Sequence, residues 1–255
     1  MKIVVLMKQV PDTWGERKLN LKTGIVDRSA ADIVIDEINE RAIEVAIAHK
    51  DAEKDTEVVV ITMSPDDASE SIKKALAMGC DSAIQIQDDA LAGADSAKTA
   101  AVLAAAITLQ AADLVIAGNE STDGRGGVVP AMIAEHLKVP HLGMLGEISI
   151  NEKTVSGVRR IEGGTQRVEA NLPAVISVNE SNPDARFPSF KGIMGAKKKP
   201  VETASLGELN ATVVAGASVV TATSERPARA AGTKIADDGT AAEQLAEFLA
   251  KNRLI

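Results

Sequence analysis

The chain has no tyrosine, one tryptophan and three phenylalanines among its 255 residues. Aromatic rings normally supply much of a domain's core and interface area. Here Ala, Val, Ile and Leu must build the interior, as they do in sheets covered by helices. An aromatic left on the surface would therefore need its own explanation. A single cysteine, Cys80, excludes an internal disulfide, which fits a reducing, cytoplasmic compartment. His49, His136 and His141 are the only histidines and lack metal-ligand spacing, so surface or packed roles are expected. No apolar run reaches the length of a membrane span. The run Ile3 to Met7 meets Lys8 too early for a signal peptide. A formal net charge of -8 argues against non-specific nucleic-acid binding, which needs basic surface to neutralise phosphates. The one basic run, Lys197-Lys198-Lys199, is local.

What the chain does have is a strand–helix rhythm. Ile3 to Met7 reads as a strand buried on both faces, and Asp36 to Lys50 as an amphipathic helix carrying Ile38, Ala42, Val45 and Ala46. Glu57 to Thr62 is a second strand. Ser64-Pro65-Asp66-Asp67 signals a helix start leading into Ala68 to Met78, and Gly79 ends that helix. Ala83 to Ile86, a helix from Ser96 to Leu109, Leu114 to Ala117 and a helix from Gly126 to Leu137 follow. Such alternation implies a parallel sheet with helices on both faces, an α/β fold.

Beyond Pro140 the rhythm changes. Glu147 to Ile150, Thr154 to Ile161, Gln166 to Ala170 and Ala174 to Val178 read as short strands joined by turns. Asn182 to Pro200 shows little periodicity, Ala217 to Lys234 reads as an extended linker, and Thr240 to Lys251 as an amphipathic helix. The expected organisation is an α/β nucleotide-binding domain with added strands over 1–182, a partner-recognition loop over 183–200, and an arm ending in a helix over 201–255. A long irregular arm of this kind implies a partner.

Ligands of open α/β sheets sit beyond the carboxyl ends of the strands. Of the three loops there, the richest is Gly118-Asn119-Glu120-Ser121-Thr122-Asp123-Gly124-Arg125-Gly126-Gly127. Its glycines permit close backbone approach, and the next helix offers free N–H groups to an anion. Arg125 can add a charge-assisted contact. It is neither a Walker loop nor a dinucleotide fingerprint, so a phosphate cradle and an ordinary Gly-rich loop both stand on spacing alone. Catalytic groups are thin. Cys80 reads as a small buried hydrophobe, Glu120 and Asp123 as solvated or capping residues, and no nucleophile–base constellation stands out.

The chain resembles the β subunit of electron transfer flavoproteins. The residues that carry the likeness are Val5-Leu6-Met7-Lys8-Gln9-Val10-Pro11-Asp12, Ala75-Leu76-Ala77-Met78-Gly79, Leu172-Pro173-Ala174-Val175-Ile176-Ser177, Ala231-Gly232-Thr233-Lys234 and, most specifically, Ile193-Met194-Gly195-Ala196-Lys197-Lys198-Lys199. The resemblance implies an adenine nucleotide α-hydrolase-like fold and a heterodimer with an α subunit that holds most of a flavin adenine dinucleotide (FAD). It also implies a buried adenosine monophosphate (AMP) and electron flow from acyl-CoA and other dehydrogenases to a membrane quinone oxidoreductase, as in fatty acid β-oxidation. The chain would then be a carrier without catalytic side chains, because the cofactor does the chemistry.

Carried over by position, the resemblance gives a nucleotide site of Leu6, Asp36, Glu37, Ile38, Asn39, Met63 and the run Gly118 to Gly127 with Val128 and Val129. Asp36-Glu37-Ile38 stands where many members have Asn-Pro-aromatic, and Gly118-Asn119-Glu120 where Gly-Lys-Gln is common. Whether AMP or a second FAD, as in electron-bifurcating relatives, fills the site therefore stays open. Thr13 and Trp14 are expected near the flavin, with local rim packing as the alternative for Trp14. Phe190, Ile193 and Met194 are expected to dock dehydrogenases, while Phe187 is expected to tuck back over the β-rich edge. Two rival readings are a universal-stress-like nucleotide sensor, which would not need the arm, and an ATP-dependent ligase or transferase, which lacks a convincing phosphate lysine or metal-binding acid.

Overall fold

In the computed structural model, residues 1–65, 68–211, 216–225 and 227–255 are described. Asp66 and Asp67 of the expected helix start, and parts of the arm, lie outside them. The strands and helices run in the order β1 (Lys2–Leu6), β2 (Gln9–Pro11), β3 (Lys18–Leu19), β4 (Val26–Asp27), β5 (Ile33–Ile35), α1 (Glu37–Ala52), β6 (Glu57–Met63), α2 (Ser69–Met78), β7 (Ser82–Ile86), α3 (Ser96–Gln110), β8 (Leu114–Gly118), α4 (Val129–Leu137), β9 (His141–Ile150), β10 (Thr154–Ile161), β11 (Gly164–Asn171), β12 (Ala174–Val178), α5 (Phe190–Ala196), β13 (Val201–Ala204) and α6 (Ala241–Lys251). Nine strands form one sheet in the order β11-β10-β9-β12-β8-β1-β6-β7-β13. The pairs from β9 to β13 are parallel, and β10 and β11 extend the sheet antiparallel as a hairpin. The expected α/β fold is present.

Strand period sorts the core into two layers. Ile3, Val5, Val58 and Val60 face Ile43 and Ile72 of α1 and α2. Val4, Leu6, Val59 and Ile61 face Leu103 and Ile133 of α3 and α4. Among the described residues no aromatic enters either layer; Ala, Val, Ile and Leu fill them, with Met7, Met78 and Cys80 in the first. All four aromatic residues are exposed: Trp14, Phe187, Phe190 and Phe248 are 94%, 96%, 82% and 44% accessible. Cys80 is fully buried, and burial pushes its thiol up to about 12, so it is the inert small hydrophobe expected.

Several sequence expectations need correction. The helix expected from Gly126 begins at Val129, because Arg125 and Gly127 adopt left-handed φ angles of 48° and 64°. The segment 182–200, expected to be irregular, contains α5, which Ser189 caps by accepting from the Gly192 N–H at 3.0 Å. The first residues of the expected arm are β13, an edge strand paired with β7. Phe187 does not tuck back. It is the most exposed of the aromatics.

Candidate functional site

The chain crosses from β1 to β6 and β7 on one side, then returns to β8 on the other. The crevice between the carboxyl ends of β1 and β8 is thus the switch point where such sheets bind ligands. Three segments meet there: the loop after β1, the start of α1, and the loop after β8.

The first turn of α1 holds them together. Asp36, fully buried, is its N-cap and accepts from Ile38 N–H at 3.4 Å. Its other carboxylate oxygen accepts from the Thr122 N–H at 2.7 Å and the Thr122 hydroxyl at 3.1 Å. Asn39 Oδ1 accepts from the Lys8 N–H at 2.8 Å. Gly118 lies so close that an added Cβ would collide with Ile38 Cγ2 and sit 2.7 Å from Asn39 Nδ2. From the outside, Arg17 donates to the Thr122 carbonyl and, at 2.8 Å, to its hydroxyl, while also donating to the Pro11 carbonyl at 2.7 Å. Loop and cap are therefore one rigid unit. Asp36 and Asn39, the positions expected to touch nucleotide from α1, also carry this scaffold. Ile38 is buried against it and Glu37 points to solvent.

Lys8 crosses the crevice. Its Nζ donates to Ser121 Oγ at 3.0 Å and pairs with Asp123 at 2.6 Å. Burial works to raise the Asp123 carboxyl, but the bond and charge of Lys8, with Ser121 and the Gly124 N–H, hold it below the usual carboxylate range. A depressed folded-state pKa adds stability above the ordinary value of about 4 and loses it as pH falls through the lower folded-state value. The tie should thus be complete at neutral pH and release only below about pH 4. Because the ammonium is partly solvated, its worth is at most about 1 kcal/mol. Amide exchange at Ser121 to Gly124 should accelerate in that acid range in the parent. In Asp123→Asn it should be fast at every pH, and identical exchange in both proteins would refute the tie.

Past Asp123 the backbone turns outward. Gly127 is left-handed and Val128 right-handed, and Val128 offers no side-chain cap to α4. The N–H groups of Gly126, Gly127, Val128, Val129 and Ala131 donate to no described residue. Successive free N–H groups in alternating-handed backbone form an anion nest, here at the positive end of a helix. Arg125 beside it is exposed and makes no ion pair among the described residues. Glu120 is exposed, Asn119 donates its N–H to the Val178 carbonyl at 2.9 Å, and Gly124 has only Ser121 Oγ and Lys8 Nζ within reach of an added Cβ. The structure therefore brings Leu6, Asp36 to Asn39 and the 118–129 loop together. Met63 sits one strand beyond β1, at the end of β6. Among the described residues no group of His, Cys, Asp and Glu is placed to hold a metal.

Two other expected regions are exposed surface. Thr13 and Trp14 form an exposed turn, so local packing does not account for Trp14. The segment after Asn182 is pinned to α1 and α2 by links that sequence pattern did not reveal. Arg186 forks onto Glu44 at 2.8 Å and reaches Asp51 at 2.6 Å, while Arg41 pairs with Asp184. Gly192 packs directly on the Ala77 carbonyl, and Lys199 donates to the Leu76 and Cys80 carbonyls at 2.8 and 2.5 Å. On this fixed base Phe187, Phe190, Ile193 and Met194 are exposed together. Such a patch is the make-up of a contact surface. The arm beyond it leaves Val219, Val220, Leu254 and Ile255 exposed, and α6 buries no residue.

Comparison with known proteins agrees with this anatomy. A family profile described as "Electron transfer flavoprotein domain" matches residues 23–209. A Mycobacterium tuberculosis protein named "Electron transfer flavoprotein subunit beta" is 46% identical over 263 aligned positions, covering 99% of both chains. A Mycobacterium leprae protein of the same name is 47% identical over 264, with the same coverage. An Acetobacterium woodii protein, "Caffeyl-CoA reductase-Etf complex subunit CarD", is 38% identical over 202 positions, covering 79% of this chain and 77% of its own.

Proposed function

The chain belongs to the β subunits of the electron transfer flavoprotein family, and we propose from that premise that it binds AMP at the β1/β8 crevice and completes an FAD site on an α subunit. The resulting heterodimer carries electrons from acyl-CoA and other dehydrogenases to a membrane quinone oxidoreductase, in the cytoplasm. Family members are electron carriers rather than catalytic enzymes, and the FAD supplies the redox chemistry when bound. Among the described residues no helix is long and apolar enough to cross a membrane.

One observation carries the nucleotide assignment: the N–H groups of Gly126, Gly127, Val128, Val129 and Ala131 donate to no described residue, beside Arg125, which makes no ion pair among the described residues. A phosphate monoester satisfies such a row directly. The residues fit AMP, because Gly124 and Gly126 leave the approach open and Lys8 already balances the charge of Asp123. For FAD this chain offers only a wall. The exposed Trp14 turn and the uncovered arm support a cofactor held mainly by the partner. The name of the Acetobacterium woodii relative, a complex with caffeyl-CoA reductase, favours partners of the acyl-CoA class.

The test is to purify the heterodimer, extract its nucleotides under denaturing conditions and count them. One FAD and one AMP support the proposal, and two FAD would favour the electron-bifurcating alternative. Gly126→Val and Gly127→Val should cut the AMP count several-fold while the FAD is retained. At Gly127 the left-handed φ adds about 1–2 kcal/mol of backbone strain for any other residue. Unchanged AMP content in both variants would remove the nest from the site.

A further inference from the structure

The guanidinium of Arg17 joins two segments that the core does not join. Its Nε and Nη2 donate to the Pro11 carbonyl at 3.1 and 2.7 Å. Nη2 also donates to the Thr122 hydroxyl at 2.8 Å, and Nη1 donates to the Thr122 carbonyl. Pro11 and Arg17 stand at the two ends of the turn that carries Thr13 and Trp14. One side chain therefore closes that turn and ties it to the 118–129 loop. Arg17 is half-buried, and no salt bridge among the described residues includes it. A charge drawn partly out of water towards neutral acceptors carries a desolvation cost. What it gains is geometry, since the planar fork fixes two acceptor sites at once.

Thr122 is a firm base for that fork. Its N–H and its hydroxyl both donate to the buried Asp36 carboxylate, at 2.7 and 3.1 Å. The hydroxyl thus sits between an anion that takes its proton and a cation that it accepts, and each charge strengthens the other bond. The turn has less support of its own. The Trp14 and Gly15 N–H groups both return to Asp12, at 2.9 Å to its carboxylate and 3.3 Å to its carbonyl. Asp12 is held in turn by the Asp32 carbonyl at 2.7 Å. Thr13 to Glu16 are exposed, and the Trp14 ring is 94% accessible. We propose that Arg17 is a positioning residue: braced on Thr122, it fixes the stance of the Trp14 turn towards the FAD held by the α subunit. A turn set in advance loses little entropy when a partner closes on it. This rests on the reading of the turn as part of the flavin wall, and adds the residue that aims it.

The test labels this chain alone with 5-fluorotryptophan, which puts a single fluorine at Trp14, its only tryptophan. Fluorine NMR then reads the heterodimer with FAD bound and with FAD removed. In the parent the resonance should be broad, displaced from that of the free label, and moved by removing FAD. Arg17→Lys keeps the charge but cannot grip a carbonyl on each segment and a hydroxyl together. Its resonance should sharpen towards the free label and lose most of the FAD-dependent shift. AMP content and melting temperature should stay at the parent's values, because Asp36 and Lys8 still brace the loop. Thr122→Val, without the hydroxyl that Arg17 grips, should move the resonance the same way, and Thr122→Ser should not. A parent-like resonance in Arg17→Lys and Arg17→Ala would overturn the brace. Loss of AMP or early unfolding in Arg17→Lys would overturn it too, by making Arg17 part of the nucleotide scaffold. If the parent's resonance ignores FAD while the Arg17 variants still sharpen, the brace stands and the flavin-wall reading fails.

Discussion

Phe190→Ala should raise the apparent Michaelis constant of a partner dehydrogenase for this carrier about thirtyfold, the effect of losing about 2 kcal/mol at an interface anchor. Folding gains nothing from this ring, which is 82% accessible at the first position of α5. Its presentation is nonetheless expensive to arrange. Ser189 caps the helix, Gly192 lets it touch the Ala77 carbonyl, and the Arg186 fork fixes the approach from α1. A pre-ordered surface loses little conformational entropy on docking, which is what a carrier meeting its partners briefly requires. Flavin content, nucleotide content and melting temperature should therefore stay at the parent's values. Phe187→Ala, equally remote from the core, is the companion variant, and a similar rise there would make the anchor a pair of rings. A Phe190→Ala protein that unfolds early or sheds its flavin would show that the ring supports the fold instead.

The sequence made the sheet legible because its strands are continuous aliphatic runs separated by helices with the right period. Ile3 to Met7 and Leu114 to Ala117 could hardly be anything else. Asp36 as a helix start followed from the apolar period of Ile38, Ala42, Val45 and Ala46, and the close backbone approach at Gly118 from glycine chemistry. What stayed hidden depends on distant partners. α5 has seven residues, two of them glycine, and owes its existence to packing on α2. Polar, four-residue β13 is a strand only because β7 presents a free edge. Met144 and Glu147 sit inside β9 with positive φ, marking bulges that disguise a ten-residue strand as a shorter one. Lys8 and Asp123, 115 positions apart, meet only once β1 and β8 are neighbours. The bonds of Asp36 to Thr122 and Ile38, and of Asn39 to Lys8, likewise join residues far apart in the chain or hidden in a helix cap.

Gly118→Ala should be the most damaging single-methyl change in the crevice, while Gly124→Ala in the same loop should be nearly silent. The new methyl at 118 would collide with Ile38 Cγ2 and crowd Asn39 Nδ2 at 2.7 Å. Neither neighbour can yield cheaply. Ile38 and Asn39 are buried in the first turn of α1, and Asn39 holds the Lys8 N–H at 2.8 Å. Relief requires the helix start to move, which pulls Asp36 from Thr122 and unseats the whole 118–129 loop. Overpacking of a well-filled site costs about 1–3 kcal/mol, and here several buried hydrogen bonds move with it, so the upper end is expected. At Gly124 the added Cβ meets Ser121 Oγ at 3.4 Å, an ordinary contact, and its φ is one that alanine adopts freely. Chemical denaturation and extracted AMP per heterodimer are the two readouts. Gly118→Ala should lose stability and nucleotide together, and Gly124→Ala should keep both. Equal behaviour of the two variants would mean that the loop is not braced on α1, and that the crevice is shaped by the nucleotide rather than waiting for it.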